Sequence, residues 1–272
     1  MSLIQLEAGI LHVDEQGAGE PLLLLHANPG DPRDYDAVLP ALSGHYRVLR
    51  VSWPGYGWSP APEPPASASA MLFADLLEQL VLKLELKNLR IIGNSVGGFA
   101  AARLAIRQPD RVNTLVLVSP GGFTAHTFFT RDFCRFKGRE YATRWLNGVL
   151  ARLYLRVKTP VTLAMRERAR REQCSPASVA VNAALWRSFT DPAHDLREAA
   201  KSITAKTLVM GGKRDPLIPA QESRTAAKLI PAAHCIILPC GHVPFAELPE
   251  LFLATVLPFL DATPRTGEAT AS

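Results

Sequence analysis

Short, uninterrupted apolar runs alternate with helical stretches along most of this chain, and that alternation constrains its fold more than any other feature. "ILHV" (10–13), "PLLLLH" (21–26), "YRVLRVS" (46–52), "LRIIG" (89–93) and "VNTLVLVS" (112–119) read as strands. Between them, "DYDAVLPALS" (34–43) reads as a short helix with Asp34 as its N-cap. Met71 to Leu86 sets Leu72, Leu76, Leu77, Leu80, Val81 and Leu84 on one helical face. The pattern resumes with "AKTLVMGG" (205–212), "PAQESRTAAKLI" (219–230), "AHCIILP" (233–239) and a final helix from about Phe245 to Leu260. Strands this continuously apolar do not belong to a sheet with one wet face. They predict a parallel α/β sheet covered by helices on both sides.

From about Gly121 the rhythm breaks. Up to about Ala200, aromatic and basic residues fall at helical spacing, with only "LYLRV" (153–157) as an ambiguous strand. A chain of 272 residues accommodates one large core and a modest insertion. The expected organisation is therefore a core formed by 1–120 and 201–262, interrupted by a helical cap over 121–200. The tail 263–272 is small and polar, the composition of a disordered segment.

Apolar runs such as Leu22 to Leu25 are far too short to span a bilayer. The first residues carry acids and no basic region ahead of an apolar stretch, so they do not read as a secretory signal. A cytoplasmic protein without membrane partners is the expectation. Cys134, Cys174, Cys235 and Cys240 show no paired spacing and are expected as reduced, buried thiols. "HCIILPCGH" brackets two cysteines with two histidines, but a strand through "IILP" turns those cysteines to opposite faces, so no metal site is expected.

The net charge of +5 is regional: residues 121–200 hold 14 Lys or Arg against 7 Asp or Glu. No basic run is interleaved with stacking aromatics, so nucleic acid is not an expected partner. A homodimer through the cap or a sheet edge is compatible with the sequence.

The chemistry is concentrated at the joint "LRIIGNSVGGFAAARLA" (89–105), where a strand runs into a helix across Gly93-Asn94-Ser95-Val96-Gly97. In G-x-S-x-G, a sharp strand-to-helix turn strains the serine backbone and projects its Oγ above the sheet. A Cβ at either glycine would collide with the neighbouring strand or helix. The pattern alone arises by chance in roughly one chain in ten of this length, so its position between strand and helix is what gives it weight.

A serine nucleophile needs a base, and the base an orienting acid. Asp215, in the loop "GGKRDPLIP" after "TLVM", and His242, in "PCGHVPFAELPE" after "CIIL", supply them in the order Ser, Asp, His. Both fall at the carboxyl ends of strands, the edge on which open parallel sheets build their sites. Asp191 and Asp195 are fallback acids within the insert. The loop "HANPG" (26–30) can aim a backbone N–H at an oxyanion over Ser95, with Asn28 favoured over Ala27, and Val96 N–H is the second donor. His26 reads as a structural brace for that loop.

These motifs, with "WPGYGWS" (53–59), make the chain similar to the α/β-hydrolase family with a helical cap, over roughly residues 5–262. The resemblance implies a mostly parallel eight-stranded sheet and a Ser95–His242–Asp215 triad with an oxyanion hole at Val96 and Asn28. It also implies an acyl-enzyme mechanism that needs no metal or organic cofactor. A serine at position 95 argues against family branches whose nucleophile is a carboxylate, although "HANP" is similar to the dehalogenase loop. "GNSVGG" and "PDRVNTLVLVSPGG" resemble the carbon–carbon bond hydrolases of aromatic catabolism.

The expected activity is hydrolysis of a small carboxylic ester, lactone or thioester. Cleavage of a vinylogous 1,5-diketone is the alternative, and a non-catalytic ligand-binding role is the alternative of another class. Candidate pocket residues are Phe123, His126, Phe128, Phe129, Phe133, Trp145, Trp186 and Val243. Arg131, Arg135, Arg144, Arg152 and Arg156 are candidates for binding a substrate carboxylate.

Overall fold

The computed structural model describes residues 2–262; the tail expected to be disordered lies outside them. In chain order the elements are β1 (Ser2–Leu6), β2 (Gly9–Gln16), β3 (Pro21–Leu25), α1 (Leu39–Ser43), β4 (Arg47–Ser52), α2 (Ala70–Lys83), β5 (Leu89–Asn94), α3 (Val96–Arg107) and β6 (Val112–Val118). Four helices follow: α4 (Phe128–Lys137), α5 (Glu140–Tyr154), α6 (Pro160–Glu172) and α7 (Pro176–Ser188). The chain ends with β7 (Lys206–Gly212), α8 (Ala220–Leu229), β8 (His234–Leu238), α9 (Pro244–Glu247) and α10 (Pro249–Asp261).

The eight strands form one sheet in the order β1-β2-β4-β3-β5-β6-β7-β8. β1 with β2 and β2 with β4 pair antiparallel, and all other pairs are parallel. Successive strand residues feed opposite faces, as a pleat requires. Leu23, Leu25, Ile91, Leu115 and Leu117 pack with α2 and α3 on one side. Leu22, Leu24, Ile92, Val116 and Val118 pack with residues of α9 and α10 on the other. Continuous apolar runs therefore mark central strands with two cores.

β6 and β7 are hydrogen-bonded neighbours, with Val118 beside Met210, although α4 to α7 separate them in sequence. "LYLRV" ends α5 and forms no strand. Thr127, Thr159 and Ser175 cap α4, α6 and α7, each accepting from the backbone N–H three residues on.

Several local expectations are corrected. The first helical segment is a 3-10 turn over Pro32–Tyr35 capped by Asp31, and Asp34 is its third residue, returning a bond to the Asp31 N–H in a capping box. The last helix is split at Leu248, where Pro249 starts α10. Cys174 and Cys235 are exposed rather than buried, Cys134 is half-buried and Cys240 is buried.

Candidate active site

Ser95 stands between β5 and α3 with φ +54° and ψ −114°, a left-handed conformation that costs a non-glycine residue about 1–3 kcal/mol. Three backbone bonds hold it there: Ser95 N–H donates to Val118 O at 3.0 Å, and Ser95 O accepts from Phe99 and Gly121 N–H, both at 2.9 Å. The flanking glycines are steric necessities. A Cβ on Gly93 would lie 2.5 Å from Gly97 O, and one on Gly97 would lie 2.4 Å from Leu25 O. Val96 opens α3, so its N–H has no acceptor within the helix and is free to bind a negative charge beside Ser95.

His242 and Asp215 arrive from the loops after β8 and β7. His242 Nδ1 lies 2.6 Å from Asp215 Oδ2, both side chains being buried. The other carboxylate oxygen accepts the N–H groups of Leu217 (2.8 Å) and Ile218 (3.1 Å). Burial alone would raise the Asp215 carboxyl, but the His242 ring and the two N–H donors outweigh it and hold the group below its ordinary value. It therefore remains an acceptor for the imidazole. Asp191 and Asp195 are engaged elsewhere: Asp191 caps a 3-10 turn, and Asp195 binds Arg197 through both carboxylate oxygens.

The histidine loop is braced by residues the sequence did not single out. His242 N–H donates to Tyr154 O at 2.9 Å, and Asn94 Nδ2 donates to His242 O at 3.2 Å. The buried carboxylate of Glu247 accepts from Gly241 N–H on one side and from Arg156 and Val157 N–H, each at 2.8 Å, on the other.

In the loop after β3, His26 is fully buried, and burial pushes its imidazole down to about 4. Its Nε2 accepts Trp53 N–H at 3.1 Å, which leaves Nδ1 to donate to Ala27 O at 2.8 Å. Asn28 Oδ1 accepts from Tyr56 Oη at 2.5 Å and from Asn182 Nδ2 at 2.8 Å. In "WPGYGWS", Ser59 Oγ joins His12 N–H to Ser52 O.

Ser95, Val96 and Asn28 line one wall of a cavity of about 360 Å³. His126, Phe129, Phe133 and Trp186 line it, with Arg131, Phe189 and His194 beside them. Phe123, Trp145 and Val243 do not. Phe123 and Val243 are buried in the two cores, and Trp145 is 79% exposed on the outer face of α5. Phe128 is also outward. Of the five arginines, Arg131 reaches the lining; Arg144 and Arg152 are exposed, Arg135 pairs with Asp132, and Arg156 binds Arg214 O. Among the described residues, Asn28 Nδ2, Trp186 Nε1 and His194 Nε2 are buried polar atoms without a hydrogen-bond partner. All three belong to residues that line this cavity.

A family model described as the alpha/beta hydrolase fold matches residues 20–249. The chain is 28% identical over 261 residues to a pimeloyl-[acyl-carrier protein] methyl ester esterase of Nitrosomonas europaea, covering 90% of this chain and 97% of that protein. It is 28% identical over 259 residues to a 2-hydroxymuconate semialdehyde hydrolase of a Pseudomonas species, covering 93% and 91%. Among solved structures, an enol-lactonase of Burkholderia xenovorans superposes with a TM-score of 0.82 at 23% identity, covering 96% of this chain and 100% of that one, a likeness of fold.

Proposed function

The chain belongs to the alpha/beta hydrolase family, and on that premise we propose that it hydrolyses a small carboxylic ester through an acyl-enzyme on Ser95. The observation that carries the reading is the strained Ser95 on the wall of an aromatic cavity, together with the buried His242–Asp215 pair at 2.6 Å. Esterases and hydrolases among the relatives support the reaction class.

In the first half-reaction His242 takes the Ser95 proton as Oγ attacks the carbonyl carbon. Asp215, accepting from Nδ1, fixes the tautomer that leaves Nε2 as the base. The carbonyl oxygen becomes an oxyanion, bound by Val96 N–H and by Asn28, whose unpartnered side-chain Nδ2 is a further donor beside the backbone N–H expected from the sequence. The tetrahedral species collapses, and the leaving alkoxide departs with the proton held by His242. Water then enters, gives a proton to His242 and attacks the acyl carbon. Release of the carboxylic acid returns the proton to Ser95. A lactone or thioester fits the same steps. The ring-fission-product relative favours carbon–carbon cleavage of a vinylogous 1,5-diketone as the second reading, on the same serine and histidine.

A fluorophosphonate and peptide mass spectrometry test the proposal. One adduct per chain on Ser95, lost in Ser95→Ala and His242→Ala, is the expected result. A folded protein that takes no label would overturn it and favour a binding role. In unlabelled protein whose Ser95 has been shown reactive, turnover of p-nitrophenyl acetate against a synthetic 1,5-diketone separates the two reactions.

A further inference from the structure

Lys137, the last residue of α4, is fully buried, and its ammonium meets no carboxylate within ion-pair distance among the described residues. Its three N–H bonds go to neutral oxygens: Asn147 Oδ1 at 2.6 Å, Asn182 Oδ1 at 3.3 Å and Thr143 Oγ1 at 3.3 Å. The Trp186 ring lies beneath it, 5.5 Å from Nζ. Burial of an uncompensated cation is costly, and it lowers this lysine to about 7. A leucine or methionine would tie α4 to its neighbours at less cost.

As an ammonium, the form it holds below pH about 7, Lys137 supplies something those residues lack: it donates in three directions and accepts in none. Asn182 must turn Oδ1 toward it, so Asn182 Nδ2 faces the other way and donates to Asn28 Oδ1 at 2.8 Å and to Tyr56 Oη at 3.3 Å. Tyr56 Oη in turn donates to Asn28 Oδ1. Both donors converge on the oxygen of Asn28, and the amide atom left without a partner is Nδ2. One donor-only group thus sets the polarity of the whole chain of amides. Reversed, Asn28 would present the negative end of its carbonyl dipole to the wall it shares with Ser95, where charge of that sign develops.

We propose that Lys137 is a positioning residue for the oxyanion side of the site, acting through Asn182 to hold the Asn28 amide with its oxygen toward the helical insert and its nitrogen as the available donor. The kinetic arm of the test rests on the ester-hydrolase reading above. With p-nitrophenyl acetate, Lys137→Met is expected to lower kcat about tenfold with KM within twofold, less than the ~10²–10³ lost when an oxyanion donor is removed outright. In an Asn28→Ala background the same substitution is expected to have no further effect on kcat, because its route is already cut. A Lys137→Met protein with a lower Tm and unchanged kcat, or with the same loss in both backgrounds, would overturn the proposal.

If Lys137→Met does not fold, Asn182→Leu breaks the middle link while leaving Lys137 on Asn147 and Thr143, and must reproduce the kcat loss. If the wild type turns over no ester, the ester reading fails separately, and the relay is read in ¹⁵N spectra. There the Asn28 side-chain NH₂ pair, assigned by its absence in Asn28→Ala, must shift in Lys137→Met or Asn182→Leu. Unchanged positions would refute the relay.

Discussion

The backbone carbonyl of Tyr154, the last residue of α5, accepts the N–H of His242 at 2.9 Å, so the helical insert holds the main chain of the proposed general base. The Tyr154 ring also packs edge-on against the imidazole, with centroids 5.8 Å apart. The insert therefore orients the proposed base as well as lining the cavity.

Glu247 extends that coupling, since its carboxylate joins Gly241 N–H to Arg156 and Val157 N–H. Glu247→Ala leaves buried donors without acceptors, each costing about 1–3 kcal/mol. The expected result is a loss of about 3 kcal/mol, read as a lower urea midpoint, with kcat for p-nitrophenyl acetate falling more than KM rises. An unchanged midpoint would show that water replaces the carboxylate.

Asp215→Asn keeps the shape of the acid but can offer an N–H where His242 needs an acceptor. We expect kcat to fall by about 10⁴ with little change in Tm, as for triads in which the imidazole is held in the wrong tautomer. A fall below tenfold would show that His242 does not depend on Asp215 for its orientation.

Much of this site was legible in the sequence because its parts sit where strands end. Ser95, Asp215 and His242 each follow an apolar run, and because those strands run parallel their carboxyl ends share one edge of the sheet. Tyr154 was not legible, since it acts through a backbone carbonyl that any residue would carry. Lys137 and Asn182 look like ordinary polar positions on helices until three helices are packed together. Trp145 and Trp186 have the same residue type in neighbouring helices, and only the packing turns one outward and the other to the cavity. β1 escaped detection because "SLIQL" is an exposed edge with one buried residue, and Asp31, three residues ahead of Asp34, was passed over as the N-cap.

Trp186 meets Phe133 edge-on, with centroids 5.6 Å apart, on the insert side of the cavity. Trp186→Ala enlarges the cavity on this side. The expected outcome is a fall in kcat/KM for acetate esters and a relative gain for hexanoate or benzoate esters, measured across a p-nitrophenyl series. An unaltered preference would place the acyl group away from this wall.

Two buried histidines oppose folding in mild acid, against the buried carboxyls of Asp34 and Glu172, which burial raises to about 7 and about 8 and which act with the opposite sign. Burial pushes His194 down to about 3, with His126 adding to the shift, and pushes His26 down to about 4. Both stay neutral in the fold while the unfolded chain takes up their protons below about 6.5. At these two rings the unfolded state binds more protons, so their contribution to stability falls as pH drops from 6.5 toward 4. In urea titrations, His194→Gln should lose less than the wild type between pH 7 and 4.5, by about 2 kcal/mol. Parallel curves would refute the assignment.

The adjacency of β6 and β7 leaves the two ends of the intervening helices emerging side by side from the sheet, an arrangement that looks built for wholesale replacement. The bonds to His242 and Glu247 set a limit on that freedom. A foreign lid grafted between these strands inherits an obligation to the sheet beneath it: one carbonyl where Tyr154 stands and two amide protons where Arg156 and Val157 stand. A replacement insert therefore keeps these contacts only where the end of α5 and the two residues Arg156 and Val157 are retained. Recombination that ignores that stretch exchanges substrate range for an unmoored base.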